Sequence, residues 1–144
     1  MTALIENGVN MTPQQTGGVE VKRDMDLVRE LLLAIEACED AFGLPTAEME
    51  GRSDVEVSHH IGIMVQAGLV DAKPRRLLGR DYVLYREVQL TWHGYEFLDA
   101  ARNATIWKLA MEKAKGVGSF TFQLLLQILA SEAAKQAGLG GATG

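Results

Sequence analysis

The stretch from Asp54 to Leu90 constrains the fold more than any other part of the chain. Val57, Ile61, Met64 and Val65 share one face of a helix running from Asp54 to about Ala67, taking about 100° per residue. Ser53 or Asp54 can cap it, and Gly68 suits a left-handed C-cap. Leu69–Ala72 and Tyr82–Leu90 then read as two strands, the second rich in Tyr, Val and Leu. Between them, Lys73-Pro74-Arg75-Arg76-Leu77-Leu78-Gly79-Arg80-Asp81 reads as a turn-bearing hairpin tip. A helix ending in Gly-Leu-Val that feeds a β-hairpin is the winged helix-turn-helix arrangement, with the helix in the recognition position and the hairpin as the wing.

The remaining segments fit around this unit. A helix from about Arg23 to Cys38 or Phe42 places Val28, Leu31, Leu32, Ile35 and Cys38 on one side. Asp24 and Asp26 in its first turn complement the helix dipole. The short helix expected before the recognition helix falls on Thr46 to Gly51, where Pro45 can open a single turn. Thr91 caps a helix with Tyr95, Leu98 and Ala101 on one side, and the helical pattern resumes from Ala104 to Lys115 after a break at Asn103. Ser119 or Thr121 opens a last helix to about Gln136. The expected fold is mainly α with a small β-hairpin, a winged helix-turn-helix domain over residues 22–137 with additional C-terminal helices. Residues 1–21 read as a flexible extension and 138–144, with four glycines in seven positions, as a flexible tail.

Charge decides which partners stay open. The 144 residues carry a net charge of −5, which argues against a uniformly basic nucleic-acid coat protein. That average conceals a polarised chain. Residues 1–72 hold 4 basic and 13 acidic side chains, a net of −9, whereas residues 73–144 hold 10 and 6, a net of +4. The sign changes at the hairpin. No uncharged apolar run is long enough to span a membrane, and the N-terminus lacks a secretory pattern, so a cytoplasmic location is expected. The single Cys38 excludes an internal disulfide and a cysteine-based zinc site. With no G-x-S-x-G, P-loop or H-E-x-x-H, neither an enzyme nor a cofactor is expected.

The candidate partner is therefore DNA. Lys73, Arg75, Arg76, Arg80 and Arg86 would hold phosphates, and Ser58, His59 and Gln66 would approach the groove. The helix face is nonetheless a poor base reader, because it also carries Gly62, Ile63 and, at its edge, Glu56. This keeps open an alternative, a protein-protein interaction module that docks a partner through the 54–67 helix. His59 and His60 diverge by about 100° on a helix and do not suggest a shared metal ion. Trp92 and Trp107 are expected to close the core between the wing and the later helices. The last helix leaves only Gln123, Gln127 and Ser131 as a polar stripe, so Phe120, Phe122, Leu125, Leu126 and Leu129 are expected to form a homodimer seam.

Three stretches resemble a bacterial and phage family, the domain of unknown function 2513. They are Lys22-Arg23-Asp24-Met25-Asp26-Leu27-Val28-Arg29, then His60-Ile61 with Gln66-Ala67-Gly68-Leu69-Val70, and most specifically Leu90-Thr91-Trp92-His93-Gly94-Tyr95-Glu96-Phe97-Leu98-Asp99. The last continues through Arg102 to Thr105-Ile106-Trp107, and Tyr95 stands where a histidine is expected. The resemblance, over roughly Lys22 to Ala137, implies similarity to winged-helix proteins and no established activity; the working expectation, from the winged-helix pattern and the wing cations, is a DNA-binding bacterial or phage transcriptional regulator.

Overall fold

A computed structural model describes residues 21–45, 48–118 and 121–138. In chain order it contains α1 (Met25–Ala37), α2 (Asp54–Gln66), β1 (Val70–Arg76), β2 (Val83–Leu90), α3 (Trp92–Ala101), α4 (Ala104–Gly116) and α5 (Phe122–Gln136). Each helix starts where a short polar side chain accepts hydrogen bonds from its own first turn: Asp24, Ser53, Thr91, Asn103 and Thr121. The core gathers Leu27, Leu31 and Leu32 of α1, Val57, Ile61 and Met64 of α2, Val70 and Val88 of the hairpin, Phe97 and Leu98, Trp107, and Leu125 and Leu129. The arrangement of α1, loop, α2 and hairpin is consistent with a winged-helix-like fold.

The short helix expected over Thr46–Gly51 is not seen among the described residues. Residues 48–53 hold a turn instead, with the Arg52 N–H donated to the Met49 carbonyl at 3.2 Å, while Thr46 and Ala47 lie outside the described residues. Cys38 is the C-cap of α1, half-buried, rather than a member of its apolar face.

The hairpin is antiparallel, and β1 runs on to Arg76, past the Ala72 expected from sequence. Pro74 is accommodated because a two-stranded sheet leaves one side of β1 free of a partner strand. The register slips between Asp71↔Gln89 and Lys73↔Arg86, so Glu87 and Val88 together face Ala72. Glu87 takes the left-handed conformation, φ 53°, at this bulge. Val88 exchanges hydrogen bonds with Leu44, at 2.8 and 3.0 Å, adding a short bridge from the α1–α2 loop.

Two expectations about the later helices are corrected. The inward positions of α3 are Gly94, Phe97, Leu98 and Ala101, which leaves Trp92 on the outer side with 77% of its surface exposed; only Trp107 closes the core. In α5, Leu125 and Leu129 are fully buried, and Phe122 and Leu126 pack against the same core. Leu125 and Leu129, expected in a homodimer seam, thus belong to the protomer's own core, whereas Phe122 and Leu126 remain half-buried. Phe120 lies outside the described residues.

The start of α3 makes a close approach. A Cβ on Gly94 would stand 2.1 Å from the Leu69 carbonyl oxygen, whereas one on Gly116 would meet nothing within 4 Å. Helix propensity alone favours alanine at either site by about 1 kcal/mol. We expect Gly94→Ala to lower unfolding stability by about 1–3 kcal/mol and Gly116→Ala to raise it by up to about 1 kcal/mol. Urea titrations of the two variants check this, and equal effects at both sites would contradict it.

Candidate nucleic-acid interface

Strand pairing sorts the wing cations by face. Lys73 opposes Arg86 and Arg75 opposes Leu84, so Lys73, Arg75 and Arg86 share one face of the hairpin. Pro74, Arg76, Val83 and Tyr85 share the other. The second face is the one packed on α2, since a Cβ on Gly62 would lie 3.1 Å from the Tyr85 hydroxyl. Lys73, Arg75 and Arg86 therefore look away from α2.

Two of the wing cations are engaged. Lys73 pairs with Glu87 at 3.0 Å, which offsets its like-charged neighbour Arg86. Arg80 donates to the Tyr82 hydroxyl at 2.6 Å and lies 5.8 Å from that ring's centre, while the hydroxyl donates to Asp54 at 3.3 Å. This chain ties the base of the 77–82 turn to the start of α2. Arg75, Arg76 and Arg86 are exposed and have no acidic partner within ion-pair distance among the described residues.

The α2 residues behave differently from expectation. Ser58 is buried and donates its hydroxyl to the Val83 carbonyl at 2.5 Å, so it fastens the helix to β2 and does not reach a groove. Val65, expected inside, is exposed. His60 is fully buried, its Nε2 accepting the Asp24 N–H at 2.9 Å and its Nδ1 lying 2.8 Å from the Glu56 carbonyl. Those partners require a neutral ring protonated at Nδ1. The His59 and His60 rings stand edge to face, 5.7 Å apart, and no metal-holding group of three His, Cys, Asp or Glu exists among the described residues.

His59 and Gln66 do not join the cationic face of the wing. With Met25, Val28, Ile63 and Phe122 they line a groove of about 570 Å³ between α2, α1 and α5.

Sequence reasoning missed the ties that orient these surfaces. Asp24 caps α1, and its other carboxylate oxygen accepts from Arg52 at 2.9 Å. Arg52 also reaches Glu56 at 3.1 Å, joining α1 to the first turn of α2. Asp26 accepts the Trp107 indole N–H at 2.7 Å. Arg29 donates to the Ala101 and Arg102 carbonyls that end α3, at 2.7 and 2.8 Å. Arg102 forms a fork on Glu36, at 2.7 and 2.9 Å, beyond the pairing with Asp99 that the i, i+3 spacing already suggests.

The described residues form a mainly helical protein with a two-stranded antiparallel hairpin, an arrangement consistent with the winged-helix-like class. Residues 22–120 match the family described as Hypothetical protein (DUF2513), and the chain belongs to that family. A relative in Haemophilus influenzae, named Uncharacterized protein, is 37% identical over 89 residues, covering 60% of this chain and 73% of the relative. No solved structure matches the chain. The stretches that carried the resemblance in sequence hold Asp24, Asp26, Arg29, His60, Gly68, Thr91, Gly94, Arg102 and Trp107. These are the tie points of the fold, so the resemblance speaks to architecture and leaves the wing's chemistry to its own residues. No described helix is long and apolar enough to cross a membrane.

Among the described residues, three carboxyls are held below their ordinary range. Burial pushes Asp24 upward, but Arg52 and the N–H groups of Leu27 and Asp26 outweigh it. Glu36 is lowered by its hydrogen bonds from Arg102, and Glu132 by Lys113. A depressed carboxyl stabilises the fold above its unfolded pKa and loses that contribution as pH falls through its folded pKa. We expect urea midpoints to be flat above about pH 5 and to fall on further acidification. Asp24→Asn keeps the helix cap but not the ion pair, so it should be less stable at neutral pH and show a shallower acid limb. An acid limb identical to that of the wild type would contradict the assignment.

Proposed function

We propose that this protein binds double-stranded DNA through its wing, as a bacterial or phage transcriptional regulator. The observation that carries this reading is the sorting of the hairpin cations. Arg75 and Arg86, with Lys73 opposite Arg86, present an exposed cationic face, and Arg76 on the other face and Arg80 at the turn add charge at the tip. Cations at that spacing suit successive phosphates, whose neutralisation releases counterions. His59 and Gln66 of α2 lie apart from that face, so phosphate contact dominates over direct base readout.

Fluorescence anisotropy with a labelled duplex at about 50 mM salt tests this, because non-specific affinity is greatest at low salt. Affinity should fall linearly on a log–log plot against salt. Arg75→Ala/Arg76→Ala should weaken binding across unrelated sequences and reduce the salt slope by about 2. Undiminished binding by the double variant would remove the wing from the interface.

The groove along α2 favours a second reading, docking of a protein partner. Under that reading the wild-type protein shows no salt-dependent duplex binding, and Ile63→Asp abolishes partner binding without unfolding the chain.

A further inference from the structure

The apex of the hairpin carries a fully exposed leucine, Leu78, next to the partly exposed Leu77. Gly79, at φ 80°, shapes the turn around it. Arg75 and Arg76 precede the pair and Arg80 follows, all exposed. A single surface leucine is ordinary. One at the turn of a cationic hairpin, itself fully exposed, is carried into whatever polyanion the arginines approach. The exposed face of α2, meanwhile, offers little for direct base readout, so any sequence preference needs another source.

We propose that Leu78 is a wedge for the DNA minor groove. This rests on the duplex binding proposed above. With Arg75, Arg76 and Arg80 on flanking phosphates, Leu78 enters between two base pairs, partly unstacks them and bends the duplex. Preference then falls on steps that unstack readily, TA and CA/TG, and is read through deformability. An anionic bilayer also attracts a cationic tip. Even a single myristoyl chain, however, holds a protein to a membrane only marginally, and two leucines offer less apolar surface than that. A wedge needs one side chain.

Energy transfer between dyes on the two ends of a duplex of about 30 base pairs reads the bend directly. Two duplexes are compared, one with central TA steps and one with a GC-only centre, using wild type, Leu78→Ala and Leu78→Met. The wild type should shorten the end-to-end distance and prefer the TA duplex several-fold. Leu78→Ala should keep the salt-dependent affinity within a few-fold while losing both the bend and the preference, and Leu78→Met should retain them. Since the side chain is fully exposed, the variants fold as the wild type does. Wild-type binding without a bend, or an undiminished bend with Leu78→Ala, overturns the wedge and leaves wing binding standing. Failure of the wild type to bind either duplex overturns both. Leu78-dependent binding to phosphatidylserine vesicles without duplex binding assigns the tip to a membrane surface and also overturns it.

Discussion

The close approach of α3 to the end of α2 is the constraint on which the rest of the structure depends. Gly68 turns the chain out of α2 in the left-handed conformation, φ 77°. Thr91 then donates its N–H to the Leu69 carbonyl at 3.0 Å and its hydroxyl to the Gly68 carbonyl, while accepting the Gly94 N–H at 3.0 Å. Gly94, lacking a Cβ, lets the first turn of α3 sit on Leu69. One point therefore holds the end of α2, both strands at the hairpin base and the start of α3. The direction of the wing relative to α2 follows from it, and the contacts of Ser58 and Tyr82 fix the far end of the hairpin.

A second set of ties holds the opposite side. Asp24 connects α1 to Arg52 and His60, and Asp26 connects α1 to Trp107 of α4. Polar groups removed from water are costly unless paired, and here the partners come from other elements: Arg52 from the α1–α2 loop, His60 from α2 and Trp107 from α4. His60 is a buried acceptor for the start of α1, and that hydrogen bond accounts for a polar ring lying in this core.

Helices and their caps were legible in the sequence because their signals are local: Ser53, Thr91 and Thr121 each begin a periodic run. The strand boundary at Arg76 was not legible, since Lys73, Pro74, Arg75 and Arg76 have the composition of a turn and are held in a strand by pairing with Val83–Arg86. Ser58 was misplaced, and the full burial of His60 not visible, for a related reason. Each is polar by type and buried by a partner distant in sequence, Val83 for one and Asp24 for the other. The apolar excess of α5 was visible, but not that Leu125 and Leu129 would be taken into the protomer's own core. Of the candidate site, the five wing cations were legible as a cluster. Their division between two faces required the register.

That division separates the wing from α2 as contact surfaces. Lys73, Arg75 and Arg86 look away from the helix, whereas His59, Ile63 and Gln66 face a groove shared with α1 and α5. The most direct measurement is a titration of isotope-labelled protein with a short duplex at low salt, following backbone amides and arginine Nε–Hε groups by NMR. Shifts concentrated between Lys73 and Arg86, with the outer face of α2 little changed, are the predicted result. Shifts centred on His59, Ile63 and Gln66 with a silent wing would contradict the account.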